Sequence, residues 1–167
     1  MAVCYFIRSN KLTSNYLVDD ENLRDNVYKQ IIEGIFPEYS EENRRSRFLK
    51  LIALLSPLAY NEVEESMIKL LDAEPYELKT DLDELQNRGL VVERLQDQYR
   101  IYPDVLGEFI LFEACYRDNL RSRKFAEAFL DEFPNHFPKM MRNIANAEWV
   151  ARRKGRADNI FNHSLRK

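Results

Sequence analysis

The sequence predicts a mainly α-helical fold with a small β-ribbon at its centre, and three observations predict it. Between Phe48 and Leu85 apolar residues recur three and four apart, in three stretches separated by Pro57 and Pro75. From Leu90 the chain turns β-branched and loses any helical stripe. After Pro103 helical spacing returns and holds through the rest of the chain.

In chain order, Ala2 to Ile7 is an apolar run that reads as the tail of a helix begun upstream, and Ser9 to Asp19 is polar and loop-like. Asp19 or Asp20 caps the next helix, whose stripe is Leu23, Val27, Ile31 and Ile35 and which Phe36-Pro37 ends. Ser40 offers another cap, ahead of Glu41 and Glu42 in a first turn where acids are favoured. Arg47 to Leu55 is dense in Leu, Ile and Phe, a helix with a wide buried face, and Pro57 ends it. Asn61 followed by Glu64 has the form of a capping box, and Val63, Met67, Ile68, Leu70 and Leu71 supply an inner face. Pro75 suits the first turn of a third helix, with Leu78, Leu82 and Leu85 at i, i+4 and i+7 and Gly89 as its C′ residue.

Leu90 to Leu95 and Tyr99 to Tyr102 read as two strands. The polar Gln96-Asp97-Gln98 between them turns the chain, without the Asn-Gly or Asp-Gly pair of the strongest hairpins. Pro103-Asp104 then opens a return helix. Three helices, a ribbon and a return helix make the order of a winged-helix domain. The competing reading is an all-helical bundle with an irregular linker at residues 90–102.

Three runs carry a family resemblance. They are Phe48 to Pro57 (Phe-Leu-Lys-Leu-Ile-Ala-Leu-Leu-Ser-Pro), Asp83 to Val91 (Asp-Glu-Leu-Gln-Asn-Arg-Gly-Leu-Val) and Tyr99 to Glu108 (Tyr-Arg-Ile-Tyr-Pro-Asp-Val-Leu-Gly-Glu). In this order and spacing they resemble the winged-helix region of STAND-type signalling NTPases, the AP-ATPase and NOD-like relatives. The resemblance covers most of residues 20–115. It implies that residues 1–40 are the end of an ATPase lid, that 41–115 are the winged helix, and that 116–167 begin a C-terminal helical array. It implies protein partners, namely the ATPase core and helical repeats of a longer parent chain, and ATP or ADP as ligands of that parent. The family carries a Met-His-Asp motif where this chain has Tyr102-Pro103-Asp104. Asp104 matches the family's aspartate, while Pro103 replaces the histidine that touches the nucleotide phosphates. Tyr102, Pro103 and Asp104 are therefore weak candidates for nucleotide contact.

Beyond the ribbon, Leu120, Phe125, Phe129 and Phe133 form one stripe, closed by Pro134. Phe137, Met140, Met141, Ile144 and Ala145 form a second. Ala157, Ile160, Phe161, Ser164 and Leu165 form a third, ending at Lys167. Antiparallel helices of this length resemble the start of an α-solenoid, although no motif recurs. The chain reads as a fragment of a longer protein.

At 167 residues the chain holds one ordinary domain or two small ones with a real core. No window approaches the roughly 20 apolar residues of a membrane span, and the short apolar start lacks the flanks of a signal peptide. Cys4 and Cys115 are too few for a disulfide framework or a metal cluster, and their apolar neighbours make them buried free thiols. The expected compartment is the reducing cytoplasm.

The net charge is −3, but unevenly spread. Residues 118–167 carry 11 Lys and Arg against 6 Asp and Glu, whereas residues 61–88 carry 3 against 9. A DNA-binding winged helix lays its third helix in the major groove and draws affinity from cations on phosphates. This third helix offers Glu77, Asp81, Asp83 and Glu84 against Lys79 and Arg88, so the sequence disfavours nucleic acid and favours a protein-packing role. Arg152, Arg153, Lys154 and Arg156 form a basic cluster, either a phosphate contact or a solvated helix end, with no aromatics interleaved for base stacking. His136 and His163 stand at no metal-ligand spacing, Trp149 reads as core, and no phosphate-binding loop or catalytic constellation occurs. The sequence thus points to a non-catalytic regulatory module of a STAND-like ATPase that couples nucleotide state to a C-terminal sensor. The alternative is a winged-helix transcription regulator.

Overall fold

In the computed structural model, residues 20–35, 43–116, 129 and 131–153 are described. The chain divides into two compact units, residues 1–40 and 41–167. In the first, helix α1 (Asp20–Ile35) buries Ile31, as its stripe predicts, and also Ile32, which lies outside that stripe, while Val27 is half-buried. The expected helices at Ala2–Ile7 and Ala157–Leu165 lie outside the described residues, as does the Ser40 cap.

The second unit is built around helix α2 (Arg44–Leu54), which is buried along most of its length. Phe48, Leu49, Leu51, Ile52 and Leu54 are wholly enclosed, each removing an apolar side chain worth about 1.5–3 kcal/mol from water. Its start lies a turn earlier than the apolar run suggests. The Asn43 side chain accepts from the Arg45 backbone N–H at 2.9 Å and caps it.

Strand β1 (Leu58–Ala59), helix α3 (Tyr60–Leu71), helix α4 (Pro75–Asn87), strand β2 (Val91–Leu95), strand β3 (Gln98–Ile101) and helix α5 (Asp104–Tyr116) follow. This order, with an antiparallel sheet arranged β1-β3-β2, is a winged helix. The all-helical alternative fails because Val91 and Val92 pair with Ile101 and Arg100. The sheet also gains a strand that the sequence pattern does not reveal, Leu58 and Ala59 against Tyr99 and Gln98. Two residues are too few to show period-2 alternation.

That short strand changes how α3 begins. Asn61 is not its cap: the helix already runs from Tyr60, and no side chain caps it locally. Asp97, at the tip of the ribbon, does so from across the sheet. Its carbonyl accepts from Tyr60 N–H at 3.1 Å and its carboxylate from Asn61 N–H at 2.8 Å. Asp97 sits at φ +63°, a left-handed conformation that aspartate tolerates, so the turn closes without glycine. Helix α4 starts at Pro75 as expected, but through an unforeseen capping box between Glu74 and Glu77. Gly89 takes φ +73° just beyond its end, and Arg88, Gly89 and Leu90 return their N–H groups to the last turn.

Helix α5 is apolar round most of its circumference: Leu106, Phe109, Ile110, Leu111, Phe112 and Cys115 are all buried, and Glu108 is the one exposed residue between Leu106 and Cys115. It needs cover on two sides, and α2 supplies one of them. The other is helix α6 (Phe137–Arg153), which follows a 3-10 turn at Pro134–His136. Its inward residues are Met140, Ile144 and Ala147, at i, i+4 and i+7. Of the stripe expected on it, Ala145 is exposed and Phe137 is 46% exposed. Trp149, expected in the core, is 60% exposed on the outer side. Phe129 and Phe133 are buried, as their spacing predicts.

Polar groups on α6 fasten it to the end of α2. The Asn143 amide donates to the carbonyls of Leu54 at 2.8 Å and Ser56 at 3.0 Å, and Lys139 donates to Pro57 O at 3.0 Å. The Leu54 carbonyl is one that a helix terminus leaves without a partner of its own, and those of Ser56 and Pro57 lie just beyond the cap at Leu55. Among the described residues no helix is long and apolar enough to cross a membrane.

Candidate interaction surface

The face that a winged helix normally presents is the outside of α4 with the β2–β3 ribbon beside it. Its charges are not arranged as the sequence suggests. Asp81, read as exposed, is only 1% exposed in its side chain. Arg45 Nε donates to its Oδ1 at 2.7 Å and Arg44 Nε to its Oδ2 at 3.1 Å. Arg44 also reaches Glu77 at 2.6 Å, Arg45 reaches Glu84 at 2.9 Å, and Arg88 pairs with Glu84 one turn back. Three of the four acids on α4 are thus matched by three arginines, two of them from the start of α2. The signal that could have shown this is the Arg44-Arg45 pair, displaced from α4 by more than thirty positions.

Local electrostatics follow the contacts. Glu77 is held below its ordinary carboxylate range, first by the Glu74 backbone N–H that its carboxylate accepts and then by Arg44. Burial opposes the charge on Arg44, but its hydrogen bonds to Glu77 and Asp81 outweigh this and raise its pKa.

What remains outward on α4 is Tyr76, Lys79, Thr80, Asp83 and Asn87. Lys79 and Asp83 pair across one turn at 3.7 Å, so this face is neutral. The Lys79 ammonium also stands 5.9 Å from the ring centres of both Tyr60 and Tyr99, within cation–π range. Those two rings meet edge to face at 6.2 Å. Burial raises the phenol pKa of each. The most exposed large apolar side chains nearby are Tyr76, at 71%, and Leu95 on the ribbon, at 66%. A cation held between rings, a neutral stripe and two apolar tips suit contact with protein better than contact with a polyanion.

The Tyr102-Pro103-Asp104 segment joins β3 to α5. Tyr102 is 52% exposed, Pro103 and Asp104 are exposed, and Asp104 faces Arg100 at 3.3 Å. Pro103 offers no donor and Asp104 is itself an acid, so the segment does not fit a nucleotide phosphate. Arg152 and Arg153 lie in the last turn of α6, whereas Lys154 and Arg156 lie outside the described residues.

A concavity escapes sequence reasoning, because its two walls, at residues 100–108 and 142–146, are far apart in the chain. A half-open cleft of about 270 Å³ separates α5 from α6 above the end of α2 and β3. Arg100, Asp104 and Glu108 line one side, and Arg142 and Asn146 the other.

Among the described residues no group of three His, Cys, Asp or Glu side chains converges as metal ligands would. Cys115 is free and buried, its thiol pushed up to about 12 by desolvation. Comparison with protein-family models, curated proteins and solved structures finds no match.

Proposed function

We propose that the chain is a non-catalytic regulatory and interaction module of a STAND-type signalling ATPase. Its winged helix packs on protein rather than on DNA. The observation that carries this reading is the state of α4. Its acids are matched internally by Arg44, Arg45 and Arg88, and its outward face bears one paired lysine and one paired aspartate. With no surplus cation on α4, and Arg94 the one exposed cation on the ribbon beside it, there is little counterion release to drive DNA binding. The resemblance in the runs at 48–57, 83–91 and 99–108 supplies the rest: orientation of the winged helix couples the parent's nucleotide state to a C-terminal helical sensor. ATP and ADP belong to the parent in this reading, and the protein itself hydrolyses neither.

The winged-helix order itself keeps a second reading in play, a transcription regulator that binds DNA. Fluorescence anisotropy of a random-sequence duplex, at low and at physiological salt, separates the two. Flat curves at both are the expected outcome. Binding that weakens as salt rises would overturn the packing reading, and Arg152 to Arg156 would be the first cluster to mutate.

A further inference from the structure

The cleft between α5 and α6 is charged on both sides and neutral in sum. Arg100 and Arg142 bring two guanidinium groups, and Asp104 and Glu108 two carboxylates. The two sides do not satisfy each other. Glu108 and Arg142 make no ion pair or side-chain hydrogen bond among the described residues. Arg100 pairs with Asp104 only at 3.3–3.4 Å, long for a charge-assisted contact, and its buried Nε has no acceptor among the described residues. Ile101 and Leu111 add apolar surface to the lining.

This combination discriminates by chemistry. A phosphate or polyanion would be drawn to the arginines but pressed against Asp104 and Glu108. A simple cation would meet the reverse conflict. A small molecule with an ammonium at one end and a carboxylate at the other resolves both conflicts at once. We propose that this cleft binds a small zwitterion of the amino-acid class. Its carboxylate is taken by the exposed guanidinium of Arg142, in the charge-assisted geometry that guanidinium groups favour, with the charge of Arg100 adding to the pull. Its ammonium is taken by Glu108, and its carbon chain lies on Ile101 and Leu111. Asn146 adds a neutral donor and acceptor on the α6 side. The bound molecule bridges α5 and α6 and so stiffens the seating of α6. This inference does not rest on the packing role proposed above.

The test uses the 167-residue chain, uniformly ¹⁵N-labelled, titrated by NMR with glycine, β-alanine, 4-aminobutyrate and 6-aminohexanoate. Acetate and ethylammonium serve as single-charge controls. Saturable shifts at α5 and α6 residues are expected, with one chain length preferred and each control at least about tenfold weaker. R142A and E108Q should each weaken binding about tenfold, while R94A on the ribbon leaves it unchanged. Residues 94, 108 and 142 are all exposed, so these variants keep the fold. Three results would each overturn the proposal: no saturable shift up to about 50 mM, controls that bind as well as the zwitterions, or an affinity indifferent to both R142A and E108Q.

Discussion

At the scale of single residues, Asp81 is the group with most at stake. Its carboxylate is 1% exposed, and Arg44 and Arg45 both donate to it. Removing one arginine leaves the other in place, but removing both strands a buried charge, which costs about 3–5 kcal/mol. R44A/R45A should therefore lose far more stability in urea than either single variant. Adding Asp81→Leu to the double variant should restore part of it. A double variant no worse than the sum of two small effects would mean that Asp81 is not enclosed in solution. The acid side of the same network has a definite sign. Because Glu77 is depressed when folded, its contribution is present above the unfolded carboxylate's range near 4.5 and disappears as pH falls through the lower folded value. None of this was legible from charge counting, which treats α4 as an isolated helix. The partners come from the beginning of α2, and only tertiary packing brings them within reach.

At the scale of elements, the seating of α6 rests on one amide as well as on its apolar residues. Asn143→Ala removes two hydrogen bonds to the carbonyls that end α2, and the expected loss is about 1–2 kcal/mol by chemical denaturation. Asn146→Ala, one turn further along at an exposed position, should change stability by less than about 0.5 kcal/mol. Equal effects would place the fastening elsewhere. Elements whose register is set by local spacing were legible in the sequence. The Leu78-Leu82-Leu85 stripe of α4, Pro75 at its start and Gly89 beyond its end all stand where their chemistry puts them. Elements that depend on a distant partner were not. Strand β1 is too short to carry a period, and the true cap of α3 is Asp97, 36 positions downstream of Asn61. Met141 and Ala145 fit the period of α6 but not its inner face, because periodicity gives a face but not the centre of that face, and Ala147 takes the place instead. The cleft between α5 and α6 was invisible for the same reason: neither wall has a motif, and only their juxtaposition makes a site.

At the scale of the whole molecule, the winged helix and α6 share one core. Helix α5 is apolar on the side facing α2 and again on the side facing α6, so neither cover is optional. A chain ended at Glu132 would leave the α6 side of α5 in water. The loss of Met140 and Ile144 alone accounts for roughly 3–6 kcal/mol of burial. Its melting temperature should fall by roughly 10 °C or more, and light scattering should show self-association through the bared face. A melting temperature within about 2 °C of the 167-residue chain would show that the winged helix is complete without α6.

The chain holds one tryptophan, Trp149, on the outer side of α6 and 60% exposed. An indole so placed makes the native protein emit at the red, solvated end of the tryptophan range and leaves it open to iodide quenching. Unfolding then moves the emission wavelength very little, and a denaturation curve followed by that colour would look nearly flat even as the helices melt. A partner that settles on this side of α6 has the opposite optical signature, a blue shift with loss of quenching. The residue that reports poorly on folding is thus well placed to report on docking.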